Sequence, residues 1–398
     1  MLSQTDILAL FQQLRGRSKE AQKSAAARLV TLALEAGGPT AILRAGADLP
    51  LLLARVNNGR TSNVRYWALH TLTKLTVPEE GRPAVAAAGA IPAVVDVLLN
   101  SSEQDMLLTA AGLLRNLAHD TDTWVPAMQD AGAFETLTHV LRRTSDSGVL
   151  QQVGSALCNA TAFNLSPIKA AAAAACIAAG AHTQLLRHLS SGSLGAEAKD
   201  ALAAATRALC NHVAGKAAVV EAGGLDVLAR CLKDSSAGVQ MEAAAAFVNL
   251  ARGSEQYSSA VAAHPQALPA LALLLHSSEA EVQATALAAF SNITWNSPSS
   301  SSALVASGAL TGMVHVLQHS SDPEQLIDAA EQLAVLAARA QNARDAAVAA
   351  GAVAALQHLL SSTNSSICSA AAEALENLDA GEGGDEQEPP AKRSRRRR

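Results

Sequence analysis

One short phrase recurs along this chain: a few small apolar residues, a glycine, and then an apolar segment rich in leucine. It reads AAGAIPAVVDVLL around Gly89 and EAGGLDVLARCL around Gly223, and an eighth copy carries Gln266 at the glycine position. Successive copies are separated by 43, 43, 48, 43, 43, 42 and 43 residues, at Gly46, Gly89, Gly132, Gly180, Gly223, Gln266, Gly308 and Gly351. A period of about 40–47 residues is typical of stacked repeats of two or three helices.

Each copy predicts three helices. The glycine lies where a short helix ends and a second begins at a steep angle, a corner that favours positive φ or close backbone approach. A polar break such as 100–104 separates that second helix from a longer third helix, as in 106–118. Hydrophobic residues make up 49% of the chain but aromatic residues only 3%, so the apolar mass is Ala, Leu and Val. Ala and Leu are strong helix formers.

The segments AGAIPAVVDVLLNSSEQDMLLTAAGLLRNLA and VQATALAAFSNITWN resemble the armadillo repeat, the unit of beta-catenin-like and importin-alpha-like superhelices. The resemblance implies an all-α fold, a right-handed α-solenoid of about eight armadillo repeats with three helices per repeat. We expect residues 1–36 to form an N-terminal helical cap and residues 37–380 to form the array. Residues 381–398 are expected to form a disordered acidic linker and a basic tail. Within the array, 190–195 and 298–302 are expected to be surface loops.

The charge of the chain is unevenly distributed. The formal net charge is −5, yet residues 391–398 carry six basic residues and no acid, which leaves 24 Lys and Arg against 35 Asp and Glu elsewhere. Because residues 1–390 are acidic, we do not expect nucleic acid to bind them, and only the basic tail is a candidate for such binding. The tail, PPAKRSRRRR, matches a monopartite nuclear localisation signal. Its alternatives are a solvated tail that aids solubility or touches RNA, and a pseudo-ligand folded onto the acidic body. The candidate signal residues are Lys392, Arg393, Arg395, Arg396, Arg397 and Arg398.

Cysteine usage and hydropathy bear on the compartment. The five cysteines include no CxxC pair and are odd in number, which favours a reducing compartment. The amino terminus has no basic segment before its apolar stretch, so we expect no secretory signal. The longest apolar run, 170–181, is too short to cross a bilayer. We therefore expect a monomer of the nucleus and cytoplasm with no membrane contact.

A recurrent asparagine lies near the end of the third helix. The resemblance implies that these third helices line the concave groove and that this Asn ladder hydrogen-bonds the backbone of an extended peptide. A primary amide offers both a donor and an acceptor for that task. The alternative is that each Asn satisfies backbone groups near the end of its helix. The ladder residues are Asn116, Asn159, Asn211, Asn249, Asn292 and, in the terminal unit, Asn377, with Lys74 and Val335 in the first and seventh copies.

Other side chains are candidates for partner specificity in the groove. These are Trp67, Lys74, Arg207 and Glu242, for which packed or solvated surface positions are the alternatives. Importin-alpha-like proteins place Trp four residues before the ladder Asn, and this chain has none there, which puts a basic-peptide receptor in doubt. The residues at those positions are Gly112, Ser155, Arg207, Ala245, Ala288 and Glu373. We expect Trp124 and Trp295 to pack in the core or between repeats, and Cys158 and Cys210 to be buried thiols.

Motifs for catalysis are missing from the sequence. It has no phosphate-binding Gly loop and no HExxH, its eleven His lack ligand spacing, and no Ser–His–Asp set is evident. The sequence predicts a non-enzymatic scaffold or adaptor, without cofactor or metal, that binds extended segments of protein partners in an Asn-lined groove. An import receptor would recognise the basic tail. The alternatives are an importin-alpha-like import adaptor, a substrate-recognition component of a ubiquitin ligase with a separate catalytic subunit, and a structural role in a cytoskeletal assembly.

Overall fold

The computed structural model describes residues 3–119, 122–162 and 166–379. Within these ranges it contains 26 α-helices, one short 3-10 helix and no strand. The chain divides into two compact units, residues 1–222 and 223–398. Each unit is a stack of three-helix repeats, so the all-α solenoid prediction is confirmed.

Unit 1 begins with two helices, α1 (Gln4–Arg15) and α2 (Lys19–Leu34), which pack against each other. Four complete repeats follow, each with a first, second and third helix. They are α3 (Gly38–Arg44), α4 (Leu49–Asn58), α5 (Ser62–Leu75); α6 (Gly81–Ala87), α7 (Ala90–Asn100), α8 (Gln104–Ala118); α9 (Val125–Asp130), α10 (Ala133–Arg143), α11 (Ser147–Thr161); and α12 (Pro167–Ala178), α13 (Ala181–Leu189), α14 (Ala196–Leu209). The first helix of the fifth repeat, α15 (Val213–Glu221), also belongs to unit 1.

Unit 2 holds the rest of the fifth repeat and three further repeats. Its helices are α16 (Gly224–Cys231), α17 (Ala237–Ala251); α18 (Glu255–Ala263), α19 (Ala267–Leu274), α20 (Ala280–Asn296); α21 (Ser301–Ala306), α22 (Ala309–His319), α23 (Pro323–Arg339); and α24 (Gln341–Ala349), α25 (Ala352–Leu359), α26 (Ser365–Asp379). The array thus contains eight three-helix repeats, as the spacing of the glycine phrase predicts.

The third helices form the spine of each unit. In unit 1, α2, α5, α8, α11 and α14 pack side by side in this order, and in unit 2 the same is true of α17, α20, α23 and α26. Their inner sides bury Leu, Val and Ala together with the fully buried Phe247 and Phe290, and the second helix α10 adds the fully buried Phe134. Because α2 packs on α5 as one third helix packs on the next, residues 1–36 provide a second and a third helix without a first. Their capping role stays a prediction.

The glycine corners have the predicted geometry. Seven of the eight corner residues are glycines with φ between 69° and 90°, and the helices on either side of Gly89 and Gly308 meet at bends of 73° and 76°. No single described helix is long and apolar enough to cross a membrane, although these two bent pairs reach that length and apolarity together.

The corner without glycine is built differently. Gln266 has φ −110°, in the right-handed region, and three residues (264–266) connect α18 to α19. The ring Nδ1 of His264 accepts a hydrogen bond from the Gln266 backbone N–H at 3.3 Å. This connection is one residue longer than at six of the seven glycine corners, and the side-chain bond stabilises it without the left-handed glycine that those corners use.

The two expected surface loops differ in outcome. Residues 190–195 connect α13 to α14 without helix, as predicted. The prediction of a loop at 298–302 is wrong, because Pro298–Ser300 forms a 3-10 helix that leads into α21. There the Ser301 hydroxyl donates to the Pro298 carbonyl at 2.9 Å, and the hydroxyls of Ser297 and Ser300 lie 2.6 Å apart. These short side chains satisfy the turn locally, and α21 buries Leu304.

Candidate functional site: the third-helix face

Five of the six ladder residues are half-buried, at the partly exposed side of the third helices or just after them, and Asn249 is buried. We define the third-helix face as the exposed sides of α5, α8, α11 and α14 in unit 1, and of α17, α20, α23 and α26 in unit 2. Residues 4, 7 and 11 positions before a ladder residue share its side of the helix, because an α-helix turns once in about 3.6 residues. For α14 and the turn after it, this row is Asp200, Ala204, Arg207 and Asn211.

The amide nitrogens of the ladder in unit 1 bond across repeats. Asn116 Nδ2 donates to the Thr73 carbonyl at 3.3 Å and to the Thr76 hydroxyl at 3.0 Å. Asn159 Nδ2 donates to the Arg115 carbonyl at 3.1 Å. These acceptors lie at the end of the preceding third helix, so the amides contribute to repeat stacking. The alternative role predicted for these residues was hydrogen bonding to backbone groups. The structure shows such bonds, and their acceptors lie in the preceding repeat.

The third rung has the same arrangement. Asn211 Nδ2 donates to the Ala162 carbonyl at 2.8 Å. The Oδ1 atom of Asn116 accepts from the Arg115 guanidinium at 2.8 and 3.1 Å. By contrast, the Oδ1 atoms of Asn159 and Asn211 accept no hydrogen bond from the part of the chain that the structure describes. Two half-buried amides thus have a fixed donor side and an open acceptor side.

The ladder in unit 2 is less regular. Asn249 is buried, and Asn292 Nδ2 donates within its own helix to the Ala288 carbonyl at 2.9 Å. The bond between repeats comes from Asn296, whose Nδ2 donates to the Ala251 carbonyl at 3.1 Å. Sequence reasoning missed Asn296, although its place one turn after Asn292 was visible. The use of Asn249 and Asn292 by a partner stays a prediction.

The predicted specificity residues of α5 lie on one side of that helix. Trp67 and Lys74 are half-buried, with His70 between them. Burial, with Lys74 nearby, lowers the pKa of His70. The ring centroids of His70 and Tyr66 are 5.5 Å apart, and burial, with the Asp105 carboxylate nearby, raises the pKa of Tyr66. The first repeat therefore presents an aromatic surface beside one cation.

The other two specificity candidates belong to different units. Arg207, on α14 of unit 1, points Nη2 toward Cys158 Sγ at 3.9 Å. Glu242 lies half-buried on α17 of unit 2. Cys158 is half-buried, so its prediction as a buried thiol is wrong, whereas Cys210 is fully buried and burial raises its pKa to about 12. Neither observation tests the proposed contacts of Arg207 and Glu242 with a partner.

Asp200 is a residue that sequence reasoning missed. Its Oδ1 atom is buried and has no hydrogen-bond partner among the described residues. Burial raises the pKa of Asp200, and Arg207 on the same helix partly offsets this effect. The signal that could have found it is its place eleven residues before Asn211, on the same side of α14. The cost of leaving this buried oxygen without a donor falls on the stability of the fold.

We expect Asp200→Asn to raise the melting temperature at pH 7. An aspartate ionises near pH 3.9 in the unfolded chain, and the folded chain binds its proton more tightly. The ionised folded form is therefore penalised as the pH rises through the folded pKa, and the penalty is fully present above it. Well below the unfolded pKa, at about pH 2.5, both states are largely protonated, so the difference should vanish. Thermal unfolding of both proteins at pH 7 and at about pH 2.5 checks this, and equal melting temperatures at pH 7 would contradict it.

The remaining predicted features have mixed outcomes. Trp295 lies beneath the Arg339 guanidinium, 5.9 Å from its ring centroid, and Arg339 belongs to the next repeat, as predicted for packing between repeats. Trp124 is the residue just before α9 and is half-buried. In the described ranges, no group of three or more His, Cys, Asp or Glu residues is suited to hold a metal ion. The candidate localisation signal, Lys392 to Arg398, lies outside the described residues.

Comparisons with known families and structures point to one family. The model described as "Plant U-box protein ARM repeat region" matches residues 182–386, and the model described as "Armadillo/beta-catenin-like repeat" matches residues 78–119. A search of curated proteins finds no match.

Solved structures with the same fold include engineered proteins. One is 31% identical, with a TM-score of 0.81 over 94% of this chain and 88% of that chain. A second is 29% identical, with a TM-score of 0.55 over 61% and 96%. A designed armadillo repeat protein in complex with the peptide (KR)4 is 24% identical, with a TM-score of 0.56 over 62% and 100%, and shows the fold alone. With its repeats of three helices and its left-handed glycine corners, this chain belongs to the armadillo repeat family.

Proposed function

We propose that this chain is a non-enzymatic adaptor that holds an extended segment of a partner protein along the third-helix face. The observation that carries the proposal is the open acceptor side of Asn159 and Asn211, whose Nδ2 atoms are fixed by bonds to the preceding repeat. An amide held in this way can accept a backbone N–H whatever side chain the partner carries. The armadillo fold is generally a non-enzymatic binding scaffold, which supports the same function.

The spacing of the repeats suits an extended chain. Neighbouring packed helices lie about 8–10 Å apart, and an extended strand rises about 3.3 Å per residue. One rung therefore meets roughly every third residue of the partner. Asn159 and Asn211 belong to consecutive repeats, so they can accept from two backbone N–H groups of the same segment.

Backbone bonds alone give weak binding. Each such bond contributes about 1 kcal/mol net, and a dissociation constant of 1 mM requires about 4 kcal/mol. Side-chain contacts must supply the rest. In unit 1 the candidates are Trp67, Lys74, Arg207 and Asp200, which offer an aromatic surface, two cations and one half-buried carboxylate.

We propose further that the basic tail is a signal for a nuclear import receptor, so that the protein is found in both nucleus and cytoplasm. Its six cations within eight residues support this role. Changing all six to serine in a fluorescent fusion should lower the nuclear fraction several-fold, because the receptor loses its cationic contacts. Fusing an unrelated import signal to the same variant should restore it. An unchanged nuclear fraction in the serine variant would contradict the proposal.

A second candidate function is substrate recognition for a ubiquitin ligase. The observation that favours it is the match of residues 182–386 to the ARM repeat region of plant U-box proteins. In this function the third-helix face would hold the substrate, and a separate subunit would supply catalysis. Ubiquitin-transfer activity should then copurify with the chain from its native cells, and its absence from purified complexes would exclude this candidate while leaving the adaptor proposal intact.

A further inference from the structure

The net negative charge of the chain lies in residues 223–390, which belong to unit 2. Residues 1–222 carry 19 Lys and Arg against 17 Asp and Glu, a net charge of +2. Residues 223–379 carry 5 Lys and Arg against 14 Asp and Glu, which gives them a net charge of −9. The cationic segment at residues 391–398 is therefore attached to the strongly negative part of the chain, whereas residues 1–222 are nearly neutral.

Part of this negative charge lies on the third-helix face of the last two repeats. Glu331 on α23 and Glu373 on α26 occupy equivalent positions, four residues before Val335 and Asn377. Glu376 follows Glu373 one turn later, and all three glutamates are exposed. Because α23 packs directly on α26, these carboxylates share one surface.

A second, independent observation concerns the carboxyl ends of the third helices, where cations of this chain bind backbone carbonyls. Lys169 Nζ donates to the Asn159 carbonyl of α11 at 2.9 Å, and Arg344 Nη1 donates to the Ala337 carbonyl of α23 at 2.7 Å. In both cases the cation comes from the first helix of the following repeat. The negative end of the helix dipole favours a positive charge at this place.

The last third helix, α26, is followed by no further described repeat. It ends at Asp379, and residues 380–390 contain four acids and no base, so Lys392 is the next cation along the chain. We propose that residues 391–398 dock on the third-helix face of α23 and α26. Their cations bind the last carbonyls of α26, as Lys169 and Arg344 do at earlier helices, and pair with the carboxylates of the acidic surface. The occupant of this surface is thus the chain's own tail.

The connecting segment is long enough for this docking. Lys392 follows Asp379 by thirteen residues. Thirteen residues of any chain span at most about 45 Å, and thirteen residues of a random coil span about 20 Å on average. Since packed helices lie about 8–10 Å apart, α23 and α26 are within reach at an effective concentration in the millimolar range. While it is docked, the tail is not accessible to other proteins, which must compete with the acidic surface to bind it.

Carbodiimide cross-linking of the full chain tests the contact directly. The reagent joins an ammonium group to a carboxylate that it touches, and Lys392 carries the one ammonium group of the tail. Mass spectrometry should find Lys392 joined to Glu373 or Glu376. If Lys392 is joined only to acids of residues 380–390, the proposal is wrong.

Cleavage of the tail by trypsin gives a second readout. In about 50 mM salt, docking should slow cleavage after Lys392 several-fold relative to Glu373→Gln/Glu376→Gln. The matched control Glu255→Gln/Asp345→Asn removes two exposed acids outside the third helices and should keep the protection. In about 0.5 M salt, where the Debye length is about 4 Å, all three proteins should be cleaved equally fast. Equal rates in low salt would overturn the proposal, and because no partner protein is involved, they would leave the adaptor function untouched.

Discussion

Replacing Gly81 with alanine is expected to destabilise unit 1 by about 3 kcal/mol, the upper end of the usual cost of overpacking. Gly81 begins α6, and a Cβ atom there would lie 1.7 Å from the carbonyl oxygen of Leu75, at the end of α5. Because that obstacle is backbone, the first helix must move away from the third helix before it. Urea unfolding followed by circular dichroism measures the loss.

Two glycines of the same unit are matched controls. Gly89 has φ +90° but open space around its Cβ position, so Gly89→Ala should cost about 1–2 kcal/mol from backbone strain alone. Gly192 has neither a positive φ nor a neighbour within 4 Å, so Gly192→Ala should change stability by less than about 0.5 kcal/mol. If Gly81→Ala is no more destabilising than Gly89→Ala, the steric account of the first helix is wrong.

The first helix of a repeat packs closely on the third helix of the repeat before it. This close approach is harder to predict from the sequence than the glycine corners are. Gly38, Gly81 and Gly215 each lie eight residues before a corner glycine, and in each a Cβ would lie within about 2.0 Å of a carbonyl oxygen of the preceding third helix. The corners were predictable because positive φ leaves a recurrent glycine. The second glycine recurs in only three repeats, and its role depends on how closely two helices approach, which a single sequence does not reveal.

The functional face was predictable in outline but not in detail. A recurrent Asn at one helical phase is visible in the sequence, and six of the eight repeats have it. Which carbonyl each amide reaches depends on the stacking of repeats, and in unit 2 this selected Asn296 over Asn292. Asp200 was not predicted, because the burial of its Oδ1 atom without a hydrogen-bond donor depends on how the neighbouring helices pack.

The second large effect concerns binding. We expect Asn159→Ala/Asn211→Ala to weaken the binding of an extended peptide about 30-fold, because two hydrogen bonds of about 1 kcal/mol each are lost. The same change should reduce stability by about 1 kcal/mol per residue, since each Nδ2 also bonds the preceding repeat. Binding is therefore measured well below the unfolding temperature of the variant, with its circular dichroism spectrum as a check of folding.

The matched control removes two amides away from the third-helix face. Asn57 and Asn100 are exposed residues of the second helices α4 and α7 in unit 1. Asn57→Ala/Asn100→Ala should leave peptide affinity unchanged within about two-fold. Equal losses of affinity in both double variants would mean that the effect does not depend on the third-helix face.

The most direct measurement is therefore a titration of peptides selected on the full chain from a random dodecapeptide library. Wild-type protein, Asn159→Ala/Asn211→Ala and Asn57→Ala/Asn100→Ala are each titrated with the same labelled peptide, and fluorescence anisotropy gives the dissociation constants. If the peptide lies as an extended segment on the third-helix face, its affinity should fall about 30-fold in the first variant and should not change in the second. Saturable binding that is equally tight in all three proteins would show that the partner lies elsewhere and would contradict the adaptor mechanism.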